Sequence, residues 1–273
     1  MRELLKLAGI PRSTFYYWIN KIHKIDKYAK IKDEIFSIFY ENKGIYGYRR
    51  ITLELRNRGY IINHKTVQKL MNVLELKSIQ RPKRKYNSYK GTIGKIADNL
   101  LKRDFKADKP NQKWVTDVTE FKVNNEKLYL SPIVDLYNGE IVSYNLSSHP
   151  VFNQIKDMLN KAFAKIPNDT NLILHSDQGW QYQMRQYQFM LKKKGIRQSM
   201  SRKGNCLDNS CAENFFSLLK SELYYPKEKD YKNIEELRKD IIDYIEYYNN
   251  KRIKGKLKGM SPVQYRKHSI LVA

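Results

Sequence analysis

The chain has 273 residues, 41% of them apolar, and carries 52 Lys and Arg against 28 Asp and Glu, a net charge of +24. No run of 18 apolar residues exists, so no membrane span is expected, and the N-terminal MRELLKLAGIPRS lacks the apolar core of a signal peptide. Two cysteines, Cys206 and Cys211, are too few for a secreted disulfide scaffold, and a cytoplasmic, nucleoid-associated protein is expected.

A basic excess of this size points to nucleic acid, with ribosome-like or membrane-surface binding as the bland alternative. The charge is unevenly spread. Residues 1–110 hold 26 basic and 10 acidic side chains, whereas residues 111–225 hold 14 and 11. The front of the chain is a polycation joined to a nearly neutral middle.

Residues 1–22, with LLKLAGIPRSTFYYWI, read as a helix, a turn at Gly9 and a second helix opening at Pro11 or Ser13, the closing half of a helix-turn-helix. Residues 23–80 read as a helical DNA-binding domain. Ile31, Ile35, Ile38 and Phe39 recur at helical spacing, and a second helix, Arg49 to Arg58, ends at Gly59, a plausible C-cap. Asn63 suits the N-cap of a third helix, in which Val67, Leu70, Met71 and Leu74 form an i, i+3, i+4, i+7 stripe. Its opposite face carries Lys65, Thr66, Gln68 and Lys69, polar and cationic groups suited to bases and phosphates. A solvated helix face is the competing reading. Residues 81–110 are basic, weakly patterned and punctuated by Pro and Gly, and read as a linker.

After Pro110 the texture changes. KWVTDVTEF, KLYLSPIVDLY and GEIVSYNLS are β-rich runs separated by turn signals. A helix (Gln154 to Lys165), a strand NLILHSD, a helix (Tyr182 to Lys194), a short strand (Arg197 to Ser201) and a helix within RKGNCLDNSCAENFFSLLKSEL follow. Residues 111–225 therefore predict a mixed α/β sheet with helices on its faces, and residues 226–273 a helical extension with a helix over 233–249.

Acids are scarce here, so those at strand ends are worth testing. Asp117 lies in WVTDVTEF, Asp177 closes LILHSD before Gly179, and Glu213 begins a helix. Singly each reads as a turn-former or surface acid. Together they suit phosphodiester chemistry, which uses two magnesium ions about 3.5–4 Å apart, held by hard oxygen ligands. Glu213, Ser217 and Lys220 share one helix face, with Phe215, Leu218 and Leu219 on another to pack on the sheet. Lys220 would then touch a phosphate one or two turns beyond Glu213; an idle surface pair is the alternative.

Thirty-five residues separate Asp177 from Glu213. With this spacing, the strings WVTDVT, HSDQGWQY and SRKGNCLDNSCAENFFSLLKSE resemble the DDE transposases with a retroviral-integrase-like core. With the tail YIEYYNNKRIKGKLKGMSPVQY, the chain resembles from Leu4 onward the second-frame product of frameshifted bacterial insertion sequences. The resemblance implies an RNase H-like core and Asp117, Asp177 and Glu213 as catalytic metal ligands for magnesium (two ions, manganese as a substitute). It also implies hydrolysis at the element's ends followed by attack of the freed 3′-hydroxyl on a second phosphodiester. The implied partners are double-stranded DNA, the first-frame product or a fusion with it, and further copies of the chain on DNA. Lys254 departs from the histidine more usual in the tail. Two rivals stay open: a nuclease or integrase of the same superfamily, and a DNA-binding protein with a decayed site.

Other residues divide between structure and function. Trp114 reads as core or as a prop for the Asp117 strand, with a DNA-stacking surface as the alternative. His175, two residues before Asp177, shares its face on a strand; orienting the carboxylate, receiving DNA and a purely structural role are all open. Arg202, Lys203, Gly204 and Asn205 form a basic turn that either closes on DNA or merely connects, and Asp208 and Asn209 are expected to cap the helix. Zinc at Cys206 and Cys211 lacks two further ligands.

Overall fold

The computed structural model describes residues 1–22, 26–79, 96–202 and 205–272. They form two compact units, Met1–Lys77 and Ser78–Ala273. Lys203 and Gly204, and with them half of the expected basic turn, lie outside the described residues.

The first unit is helical: α1 (Arg2–Leu7), α2 (Arg12–Ile22), α3 (Ala29–Glu41), α4 (Tyr48–Asn57) and α5 (His64–Val73). The apolar stripes become its core, with Ile35, Ile38, Ile51, Leu55 and Val67 fully enclosed. Arg58 takes the C-cap of α4 and Gly59 follows at φ +87, a left-handed position that a side chain would strain. The Arg58 guanidinium reaches Glu34 (3.0 Å), Glu41 (2.6 Å) and Glu54 (3.4 Å), tying the end of α4 to α3. Asn63 caps α5 as expected, its Oδ1 accepting the Lys65 N–H at 2.8 Å.

The second unit is built on six strands: β1 (Lys113–Thr116), β2 (Thr119–Val123), β3 (Glu126–Asp135), β4 (Ile141–Ser147), β5 (Ile173–Ser176) and β6 (Arg197–Met200). Between them run α6 (Phe152–Phe163), α7 (Trp180–Gln183) and α8 (Arg185–Lys194). A 3-10 turn (Cys206–Asn209) leads into α9 (Ser210–Leu219). A π-turn (Lys220–Tyr224), α10 (Tyr225–Lys227), α11 (Ile234–Asn250) and α12 (Pro262–Val272) complete the chain. β3 pairs antiparallel with β4 on one side and with β2 and β1 on the other; β1 then pairs parallel with β5, and β5 with β6.

KWVTDVTEF is two strands, not one. β1 and β2 lie end to end on the same edge of β3 in a continuous register, Thr116 opposite Ile133 and Thr119 opposite Leu130. That register sets Pro132 opposite Asp117. Pro132 has no N–H for the ladder, and the pairing opens there. Asp117 is thereby released from the strand.

Alternation distributes neighbouring residues to opposite faces. Val115, Leu128 and Leu130 pack with Phe215, Leu219, Ile241 and Ile245, which places α9 and α11 on one face. Trp114, Ile133 and Leu174 pack with Ile155, Met158, Tyr187 and Leu191, which places α6 and α8 on the other. Trp114 is core. Ala212 and Phe216 are buried with Phe215 and Leu219 on α9, whereas Leu218 is only partly covered.

Two further expectations are corrected by packing. Residues 96–110, read as linker, dock on the sheet: Leu101 is buried, and the Leu100 and Leu101 N–H groups donate to Ser199 Oγ at 2.9 and 3.3 Å. The C-terminal helix α11 completes one face of the core instead of extending from it. The tail motif has structural employment: Asn249 brackets the Ile141 backbone with two hydrogen bonds, and Lys254 Nζ donates to Tyr248 Oη at 2.7 Å.

Candidate active site

β1 and β5 are adjacent parallel strands with Val115 opposite His175. The residues two beyond each, Asp117 and Asp177, consequently emerge side by side at the C-terminal ends of the two strands. Each carboxylate is steadied by local backbone: Asp117 Oδ1 accepts the Val118 N–H at 2.7 Å, and Asp177 Oδ1 accepts the Gly179 N–H at 2.9 Å. Gly179 leaves room for two side chains of the site. A Cβ there would stand 2.7 Å from Gln181 Nε2 and 3.0 Å from Asp177 Oδ1. A cleft of about 340 Å³ opens beside the two aspartates, its walls including Val118, Val151, Trp180 and Gln181.

Burial pushes the Asp117 carboxyl well above the ordinary carboxylate value, Asp177 and then Glu213 add to the rise, and the Val118 N–H and Lys220 oppose it. Burial likewise raises Asp177 against the pull of the Gly179 N–H. Asp177, Glu213 and Lys220 are thus within electrostatic reach of Asp117. The two aspartates are the intimate pair. Glu213, half-exposed on the first turn of α9, does not line the cleft, and among the described residues no three His, Cys, Asp or Glu side chains are clustered closely enough to hold a metal ion by themselves. Neither aspartate has a salt bridge among the described residues. Half-buried carboxylates with hard oxygen donors fit a divalent cation, which offsets both the burial that raises them and the repulsion of Asp117 by Asp177.

Lys220 sits at the start of the π-turn, its Nζ 5.1 Å from the centre of the Phe121 ring. Arg202 is turned onto Asp208 through Nε (2.9 Å) and Nη2 (3.0 Å), and Asn205 Oδ1 accepts from Arg103 Nη2 at 2.8 Å. Both are therefore engaged within the protein. On α5, Lys65, Gln68 and Lys69 are exposed and Thr66 is half-buried; this face belongs to the other unit.

His175 does not orient Asp177. The strand ends at Ser176, and the buried imidazole Nδ1 instead meets Ser199 Oγ at 2.8 Å. Burial pushes its pKa down to about 4, so it is neutral at pH 7. Asp208 and Asn209 are not side-chain caps: neither the 3-10 turn nor α9 has a side-chain cap hydrogen bond. Asp208 gathers Arg202 together with Asn99 and Arg103, and that role was not legible as a cap because the last two lie over a hundred positions earlier.

A mixed sheet whose neighbouring parallel strands end in paired carboxylates is the RNase H-like, integrase-type architecture of polynucleotidyl transferases. The family model described as Integrase core domain matches residues 107–206, a second model of the same description matches residues 213–270, and an HTH-like domain matches residues 27–84. The transposase InsK of insertion sequence element IS150 from Escherichia coli is 56% identical over 98% of this chain and 94% of its own length. A transposase-like protein of Haemophilus influenzae is 56% identical over 77% of this chain and 95% of its own length. Transposase InsF of insertion sequence IS3A from Escherichia coli is 31% identical over 99% and 95% respectively. Among solved structures, the HTLV-2 integrase catalytic core in complex with magnesium gives a TM-score of 0.46 at 18% identity, over 58% of this chain and 98% of that one.

The chain belongs to the DDE transposases of bacterial insertion sequences with an integrase-like core. It is a polynucleotidyl transferase of DNA transposition and integration, and its integrase-type core works with divalent metal. No helix among the described residues is long and apolar enough to cross a membrane.

Proposed function

We propose that Asp117, Asp177 and Glu213 are the catalytic acids, that they hold two magnesium ions (with manganese as a substitute), and that both steps of transposition occur at this one site. The ions, when bound, lower the pKa of the attacking hydroxyl and neutralise charge developing on phosphorus. The observation that carries the reading is the side-by-side emergence of Asp117 and Asp177 from adjacent parallel strands. Each aspartate commits Oδ1 to a backbone N–H and keeps Oδ2 for the site, so its orientation is set before DNA arrives. Glu213 approaches from α9, and Lys220, close enough to favour the charged form of Asp117, meets a phosphate of the bound strand.

Water first cleaves the phosphodiester at the element's end and frees a 3′-hydroxyl. That hydroxyl then attacks a second phosphodiester, whose own 3′-oxygen leaves. Element ends are recognised by the α5 face of Lys65, Thr66, Gln68 and Lys69, aided by Arg202, Lys203 and Asn205. Strand transfer at paired ends calls for an oligomer on DNA. The first-frame product supplies helices preceding α1, a role favoured by the exposed Leu4 and Leu7.

The test is cleavage and joining of element-end DNA by the chain fused to its first-frame product, in magnesium. Glu213→Gln is expected to abolish both reactions with end binding retained; full cleavage by this variant would refute the ligand assignment. Cleavage at random sequence without joining would mark a nuclease instead. Lys65→Ala with Lys69→Ala is expected to weaken end binding and to lower the slope of log K against log salt by about one per lost phosphate contact. Affinity and slope equal to the parent would remove α5 from the DNA interface.

A further inference from the structure

We infer that Asp208 and Asn209 are positioning residues that set Glu213 against Asp117, and that the site's hold on a divalent cation depends on the hydrogen bond from Asn209 to Thr116. The inference rests on the functional reading above and extends it to two residues outside the acid triad.

Asn209 is 3% exposed, and its Nδ2 donates to the Thr116 carbonyl at 3.2 Å. Thr116 is the last residue of β1 and immediately precedes Asp117. Asn209 takes the N-cap position of α9, and Glu213 lies four residues later, on the first turn of that helix. A single hydrogen bond therefore joins the root of the helix bearing Glu213 to the strand end bearing Asp117.

Asp208 fixes the same root from the other side. Its carboxylate, 0% exposed, accepts from Asn99 Nδ2 (3.0 Å), Arg103 Nε (2.7 Å), Arg202 N–H (3.1 Å), Arg202 Nε (2.9 Å) and Arg202 Nη2 (3.0 Å). Those bonds, Arg202's first, hold the carboxyl well below the usual carboxylate range. Arg103 also holds Asn205, so both described ends of the 202–205 connection are gathered at one anion. Two consecutive residues thus restrain the first turn of α9, one against the preceding loop and one against the sheet.

Asp and Asn before a helix ordinarily accept hydrogen bonds from its free N–H groups. Here neither does, and both side chains are given to tertiary contacts. Asn209 Oδ1 is also buried with no hydrogen-bond partner among the described residues, an arrangement that costs stability. A residue kept for stability alone would not be placed this way; one kept to locate Glu213 would.

The test follows magnesium binding by thermal denaturation of the full chain, since a cation that binds only the native state raises Tm with concentration. Asn209→Ala and Asn209→Leu, the latter close in shape but without a donor, are expected to need about tenfold more magnesium for half the Tm rise, the usual cost of removing a group that orients a metal ligand. Asp208→Asn should move the midpoint in the same direction. A purely structural role would lower Tm in EDTA and leave the magnesium midpoint alone. Midpoints within about twofold of the parent for both Asn209 variants, with the response lost in Glu213→Gln, would overturn the inference and leave the acid triad standing. A parental response in Glu213→Gln would sink the ligand assignment and this inference with it. Should Asn209→Ala fail to fold, Asn209→Leu retains the volume and carries the test.

Discussion

Asp117→Asn is expected to inactivate the enzyme and at the same time stabilise the metal-free fold. In EDTA the parent holds two half-buried carboxylates, Asp117 raised by burial and then by the charges of Asp177 and Glu213, and Asp177 raised by burial. Replacing one by a neutral amide removes that repulsion and leaves the volume unchanged. A gain of about 1 kcal/mol is expected, the usual size when a functionally strained group is relieved, seen as a Tm rise of about 2–4 °C for a domain of this size. Activity should fall about a thousandfold, because a divalent cation contributes several kcal/mol and each ~1.4 kcal/mol is a factor of ten. In magnesium the order of stabilities should reverse, the parent gaining and the variant not. Calorimetry of both proteins with and without the ion checks this. A variant less stable than the parent in EDTA would show that the aspartates are not in electrostatic conflict.

The largest stability effect is expected at Arg252. Its guanidinium is 1% exposed and bonds the Glu222 carboxylate through both Nε (2.8 Å, to Oε2) and Nη2, while Tyr244 Oη donates to the same carboxylate at 2.7 Å. Glu222 lies in the π-turn, two residues after Lys220. Arg252→Ala leaves a buried carboxylate without its cation and is expected to cost about 3–5 kcal/mol, or about 10 °C in Tm for this size of domain. The paired replacement Arg252→Met with Glu222→Gln removes both charges and keeps an acceptor for Tyr244. It should recover most of the loss, because an uncompensated buried charge costs more than a missing pair. A double variant no more stable than Arg252→Ala would mean that packing, not charge, explains the residue.

Much of this was legible in the residue order. The 3.6-residue recurrence of Ile35, Ile38 and Phe39 and of Val67, Leu70 and Met71 marked buried faces that the structure shows buried, because a helix face is set by neighbours three and four apart. Asn63 was readable as a cap for the same reason. Asp177 at a strand end and Glu213 on the first turn of a helix were also visible locally. The break in KWVTDVTEF was not, since its cause, Pro132, lies on the partner strand and acts only once the register exists. The role of His175 was left open by the sequence, because strand alternation carries one residue past the strand's end only if the strand continues, and the structure gives it the structural role. Asn209 takes the N-cap position of α9 as expected, but that its side chain and that of Asp208 turn to Thr116 and to Asn99 and Arg103 was not legible, because those partners are distant in sequence and composition does not encode the choice between local and long-range partners.

By itself, then, the sequence determined the basic front, the helical and β-rich segments, and three acids at the ends of elements. Those properties follow from charge and from periodicities within a few residues. The tertiary structure alone decided that β1 lies beside β5 in parallel register, so that Asp117 and Asp177 share one cleft and α9 brings Glu213 toward them. That decision belongs to burial of both sheet faces: sliding one strand by a residue would turn Trp114 and Val115 to the wrong sides, and only the register that buries both also pairs the acids.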